Sequence, residues 1–225
     1  EPVAVRAEQL GYDAFYLAEG WGHDAAVLLT EVAVRTSRIR IGTGVLNVWG
    51  RSPATIAMLA TSLDQVSGGR FTLGLGAGSP QLAEGLHDVP FTAPVARMRS
   101  VVQQVRRLLD GERLVPSSPG DHRSLRLATA PVPRLPIHLA ALGPAAVRLA
   151  GELADGWCPF LLPSSALADR LRILEEGAAT NEAGRGRPQI CPCIPTAVLP
   201  DHDEARRVAS WWVAEPNGSQ RSTLV

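Results

Sequence analysis

The 22 basic residues of this 225-residue chain are all arginine; lysine does not occur. Schiff-base catalysis and the phosphate-gripping lysine of a P-loop are therefore excluded. There is no GK[ST] run for a nucleoside triphosphate and no G-x-S-x-G elbow for a hydrolase serine. Basic and acidic residues balance at 22 each, so there is no charge footprint for nucleic acid or an anionic membrane. Only three cysteines occur, Cys158, Cys191 and Cys193, which suits a reducing compartment and predicts a cytoplasmic protein. Cys191-Pro192-Cys193 is not metal-ligand spacing, and no His and carboxylate set has that spacing either. No metal is expected, and the cysteines read as small apolar strand residues. No hydrophobic run approaches a membrane span, and no secretory signal stands out.

What is present is a 45% hydrophobic chain, enough for a full core, in which strand and helix signals alternate. The strands are expected at DAFYLAE (13–19), RIRIGTGV (38–45), RFTLGLG (70–76), PIHLAA (136–141), WCPF (157–160) and the Pro-broken 189–199. Helices are expected over 2–10, after Asp24 with Val27, Leu28, Leu29 and Val32 as apolar positions, and from Ser52-Pro53 to Gly68-Gly69. Others are expected from Thr92 to Gly111, from Pro144 to Gly156, and over 165–179 and 202–213. Residues 112–135 are rich in Pro, Ser and Gly and read as a surface insertion, with room for a short hairpin, while 215–225 read as a loose tail. The chain is thus expected to be one α/β domain with a parallel sheet and helical crossovers, either an open doubly wound sheet or a (β/α) barrel. In both, ligands sit at the carboxyl ends of the strands.

The unusual residues gather at those ends: Glu19-Gly20-Trp21, Gly44-Val45-Leu46-Asn47, Gly76-Ala77-Gly78-Ser79 and Leu142-Gly143-Pro144. Gly74-x-Gly76-x-Gly78 lacks the third glycine of a dinucleotide fingerprint, and Pro80 stands where the following helix should open. Backbone N–H groups after Leu142-Gly143 could hold an anion, or the segment could be a plain tight turn. His23 could be an acid/base group or a solvated residue at a helix start. His138 reads as a satisfied core residue, and His122 and His202 have no partner in sight. Asp64, Asp110 and Asp155 fall at helix ends away from the rim and read as structural. A rim poor in acids, bases and nucleophiles but rich in glycine suits a flat cofactor that brings its own reactivity.

The run from LGYDAFYLAEGWGHDAAVLL through RIRIGTGVLNVWGRSP to RFTLGLGAGSP, with PIHLAALGPAAVRLAGELADGW further on, resembles the luciferase-like monooxygenase superfamily. Within it the chain looks most similar to coenzyme F420-dependent oxidoreductases of the methylene-tetrahydromethanopterin reductase type. The resemblance implies a TIM-type barrel binding F420 or FMN at its carboxyl rim. It also implies a bulge with a non-prolyl cis peptide joining Gly44 and Val45, against which the ring rests. Glycine there admits a planar ring without a Cβ clash. By the same resemblance Asn47 would reach the polar edge of the ring, and Ala77, Gly78, Ser79, Leu142 and Gly143 would line the ribityl and phosphate path. Glu19, Trp21 and Trp49 would flank the ring or the substrate pocket. The resemblance carries over no general acid; Glu19 and His23 are the candidate acid/base residues that this rim itself offers.

Two departures from the family pattern stand out. The histidine that follows the rim acid in some F420 dehydrogenases is replaced here by Gly20, and a rim glutamate by about Ser79. The barrel is also incomplete: six strands are expected, with the first and last missing. The chain is then a fragment, a degenerate copy, or a barrel completed by a homodimer. The expected activity is hydride transfer between F420 and a small organic substrate. The alternatives are an FMN-dependent monooxygenase and a non-catalytic, vestigial flavin-binding protein.

Overall fold

A computed structural model describes residues 3–116, 123–181 and 184–214. The tip of the 112–135 segment and the tail at 215–225 lie outside these residues. The expected strand–helix alternation is present: α1 (Val3–Gln9), β1 (Ala14–Leu17), α2 (Ala25–Arg35), β2 (Arg40–Thr43), β3 (Leu46–Asn47), α3 (Pro53–Ser67), β4 (Phe71–Gly76), α4 (Pro80–Gly85) and α5 (Pro94–Leu109). They are followed by β5 (Ile137–Ala140), α6 (Pro144–Leu153), β6 (Gly156–Trp157), α7 (Ser164–Ala178), β7 (Gln189–Ile190) and α8 (His202–Ala214). The strand expected at 38–45 is shorter, β2 ending at Thr43 before the cis Gly44–Val45 peptide, and β3 follows beyond its expected end.

All pairings are parallel and follow chain order, β1-β2-β4-β5-β6-β7, with β3 also on β4. A doubly wound sheet would reverse direction midway; this one never does. Tyr16 of β1 and His138 of β5 are separated by two intervening strands, about 14 Å along a flat sheet. Their rings nevertheless stack with centroids 6.3 Å apart. The sheet is therefore curled into the arc of a TIM-type barrel, incomplete, with helices outside.

Local chemistry explains the helix ends. Ser52 Oγ accepts from Thr55 N–H, Pro53 opens α3, and Gly68 closes it at φ 67°. Ile56, Ala60 and Leu63 of α3 are buried, each large side chain contributing about 1.5–3 kcal/mol. In α2 the core residues are Ala25, Leu29 and Ala33, whereas Val27 is exposed because it lies on the opposite face. α5 starts at Pro94, not Thr92, since proline presets the first helical residue. α4 is absent from the sequence reading: Pro80 does open a helix, a short one capped by Ser79. No strand forms among the described residues of 112–135, although Leu114 N–H donates to Leu125 O at 2.9 Å. α6 and α7 cross with backbones touching, and a Cβ on Gly177 would stand 2.2 Å from Arg148 O.

Candidate functional site

The carboxyl ends of β1, β3, β4 and β5 gather the four glycine-rich segments on one rim. Gly44 is exposed; its N–H donates to Leu17 O at 2.8 Å, and a Cβ on it would meet Tyr16 Cβ at 3.0 Å. The side chain of Val45 turns inward, and a Cβ on Gly76 would fall 2.6 Å from its Cγ2. Gly78 is exposed with φ 62°, a conformation that favours glycine. Leu142 and Gly143 are exposed, Gly143 caps α6 without a side chain, and a Cβ there would meet nothing within 4 Å. Bare main chain thus faces outward at three neighbouring strand ends.

The polar side chains of the rim hold its loops. Both carboxylate oxygens of Glu19 are taken by the Arg51 guanidinium, and Oε2 also accepts Ala25 N–H at 3.1 Å. Arg51 reaches Asp24 at 2.6 Å as well, and Asp24 caps α2 by accepting Ala26 and Val27 N–H. Hydrogen bonding to Glu19 pushes the Arg51 pKa up. Burial raises the Asp24 carboxyl, but the Ala26 N–H and the Arg51 charge outweigh it and hold it below the ordinary value. Asn47 is buried: its Oδ1 accepts Trp49 N–H at 2.9 Å and Gly50 N–H at 2.7 Å, and its Nδ2 meets His87 Nε2 at 3.1 Å. This is a loop-forming role, where sequence reading expected a reach toward a ring edge.

Trp49 is likewise core, 6% exposed, with its indole N–H on Ala77 O at 2.6 Å and Phe91 and Arg97 against its ring. Trp21, by contrast, is 52% exposed. Ser79 Oγ is engaged with Leu82 N–H. His23 is exposed, and its ring makes no hydrogen bond to the described residues. Sequence reading missed Arg51 and His87 because their partners lie 32 and 40 residues away.

Below the rim, the inner face carries Tyr16, Thr72 and His138. Burial pushes the Tyr16 hydroxyl pKa up. A cleft of about 410 Å³ bordered by Glu8, Tyr12, Asp13 and Arg40 lies at the opposite, amino-terminal end. Its carboxylate Glu8 is occupied by three backbone N–H groups, so the space is an incidental gap between α1 and the strand starts. Sequence spacing offered no metal-ligand set, yet strand register brings His138, Cys158 and Cys191, scattered in sequence, together with one ligand atom of each within 4.8 Å of the others. The side-chain hydrogen bond between Cys158 and Cys191 lowers the Cys191 thiol, and the same bond together with burial drives Cys158 up.

Comparison with known proteins gives four consistent matches. The profile of a domain described as luciferase-like monooxygenase fits residues 2–223. A Mycobacterium tuberculosis protein provisionally named a coenzyme F420-dependent oxidoreductase is 36% identical over 222 residues, 92% of this chain and 64% of its own length. An F420-dependent glucose-6-phosphate dehydrogenase of Microbacterium testaceum is 31% identical, over 92% of this chain and 66% of its own. The coenzyme F420-dependent tetrahydromethanopterin reductase of Methanopyrus kandleri superposes with a TM-score of 0.78 at 24% identity, covering 94% of this chain and 65% of that one. The chain spans just under two thirds of the length of these relatives.

Proposed function

This chain belongs to the luciferase-like monooxygenase family, and on that premise we propose that it is an F420-dependent oxidoreductase acting on a small organic substrate. The observation that carries the proposal is the bare glycine backbone at Gly44, exposed at the carboxyl end of a strand in a parallel barrel arc. The residues present fit a planar ring with a polar tail: no Cβ projects at Gly44 or Gly143, and Gly78 sits between them on the rim. When bound, the deazaflavin would supply hydride transfer, a chemistry that no side chain here offers.

The chain's own residues would bind and orient. Gly44 and Val45 would form the floor under the ring; Ala77, Gly78, Ser79, Leu142 and Gly143 would border the tail. Glu19, fixed by Arg51, would hold the loop after β1 in place, so Trp21 stands beside the ring to cover the substrate. His23, exposed on the loop after β1, would exchange a proton with substrate. A second copy of the chain is the proposed macromolecular partner, because β1 and β7 each have a single sheet neighbour among the described residues. No described helix is long and apolar enough to cross a membrane.

Anaerobic fluorescence titration with F420 and, separately, with FMN tests the assignment. Saturable binding of F420, tighter than that of FMN, is expected. Tighter FMN binding would make the chain a flavin monooxygenase instead, and binding of neither would leave it a non-catalytic relative.

A further inference from the structure

Three residues with no part in the proposed redox site converge on the inner face of the barrel. His138 lies in β5, Cys158 just past β6 and Cys191 just past β7, on three successive parallel strands. His138 pairs with Gly156, and Gly156 with Gln189. Cys158 and Cys191 each stand two residues beyond those pairs, so they are level with one another and point to the same face. Their backbones are fixed, Cys158 N–H donating to Leu139 O at 2.9 Å and Cys191 N–H to Trp157 O at 2.8 Å. One ligand atom from each side chain lies within 4.8 Å of the other two, and Cys158 Sγ is 3.9 Å from His138 Nδ1. Gly156 makes room for the imidazole, since a Cβ there would sit 2.5 Å from His138 Cδ2. The Tyr16 ring stacks on His138, tilted by 25°.

We propose that His138, Cys158 and Cys191 form a binding site for a thiophilic divalent cation of the zinc class. In a tetrahedral zinc site, with metal–sulfur bonds of about 2.3 Å and metal–nitrogen bonds of about 2.0 Å, ligand atoms stand about 3.5–3.8 Å apart. Closing the present triangle around an ion takes side-chain movements of about 1 Å, within one rotamer well. Two thiolates and one neutral imidazole balance the charge of a divalent ion, so a neutral unit is held on a half-buried face. The thiol protons leave to solvent as the metal–sulfur bonds form, with no change of oxidation state. Three protein ligands leave the fourth position to water or an added ligand. Cys193 is exposed, lies beyond this layer and is not part of the set.

The test is an anaerobic titration of the chain, without F420 or FMN, with Co²⁺. The expected result is one bound ion per chain, with sulfur-to-cobalt charge-transfer absorption, tetrahedral ligand-field bands, and displacement by Zn²⁺. Cys158→Ser and Cys191→Ser should each remove about half of the charge-transfer intensity and weaken binding by roughly 100-fold or more, and His138→Ala should weaken it similarly. Cys193→Ser should change neither. A parallel measurement on the unaltered chain guards against variants that fail to fold: Zn²⁺ should protect Cys158 and Cys191 from alkylation and leave Cys193 reactive. Absence of the charge-transfer band, its persistence in the Cys158→Ser/Cys191→Ser double variant, or equal reactivity of all three thiols with and without Zn²⁺ would overturn the proposal. Because no redox cofactor is present, the outcome is independent of the F420 assignment.

Discussion

The two ends of the barrel arc are built on opposite principles. At the amino-terminal end the starts of β2, β4 and β5 are tied by charged side chains to backbone groups. Glu8 accepts N–H from Ile39, Arg38 and Ser37 at 2.9, 2.6 and 2.9 Å. Arg70 donates to Ser67 O, Thr36 Oγ1, Ile39 O, Ala33 O and Thr36 O, which uses all five of its N–H groups. Arg106 is buried and bridges Leu135 O and Asp155, whose Oδ2 also takes Ile137 N–H. At the carboxyl-terminal rim the charged groups tie loops to one another, and the backbone they leave uncovered is glycine. One end holds the strands together; the other leaves main chain accessible, as expected where a barrel binds ligands.

The largest effect that would sharpen this contrast is expected from Arg106→Met. Asp155 and Leu135 O would lose their buried partner, and breaking such a pair costs about 3 kcal/mol. Chemical denaturation should show that loss; a change below about 1 kcal/mol would mean that the amino end is not the structural one. Arg51→Gln comes next. It loosens Glu19 and Asp24 together, but Asp24 is 49% exposed and screened by solvent and the Gln amide can still donate to Glu19, so the loss is about 1–2 kcal/mol. A loss as large as that of Arg106→Met, read by the same denaturation, would erase the distinction between the ends.

The smallest effect is pH-dependent. Backbone N–H groups, that of Ile39 foremost, lower the Glu8 carboxyl from 4.5 to about 2. A carboxylate depressed in the folded state stabilises fully above its unfolded value. Its contribution should therefore fade as pH falls from about 4.5 toward 2. Melting curves of Glu8→Gln and the unaltered chain should converge across that window; parallel curves would show that Glu8 is not tied to the β2 start.

Much of this was legible in the sequence, because it is written locally. Hydrophobic alternation marks the strands, Ser52-Pro53 and Gly68 mark the limits of α3, and the glycines at 44, 78 and 143 mark the rim. What stayed hidden depends on partners distant in sequence. Nothing near Glu19 says that Arg51 will occupy it, and nothing near Asn47 points to His87. The cluster of His138, Cys158 and Cys191 is invisible as spacing because only the strand register brings the three level. Trp49 reads as a pocket aromatic by position, yet its indole N–H finds Ala77 O and the ring closes into the core. Pro80 reads as a helix breaker until Ser79 is recognised as the cap before it.

The most direct test of the central claim is F420 titration of Gly44→Val beside the unaltered chain, with thermal melting of both. A branched side chain at this exposed position stands where the ring would lie and, at 3.0 Å from Tyr16 Cβ, needs only a small local adjustment. The account predicts at least a roughly 100-fold loss of F420 affinity, since a Cβ clash removes the ring's contact plane, with both chains melting as single folded species. Unchanged affinity in a folded Gly44→Val chain would contradict it.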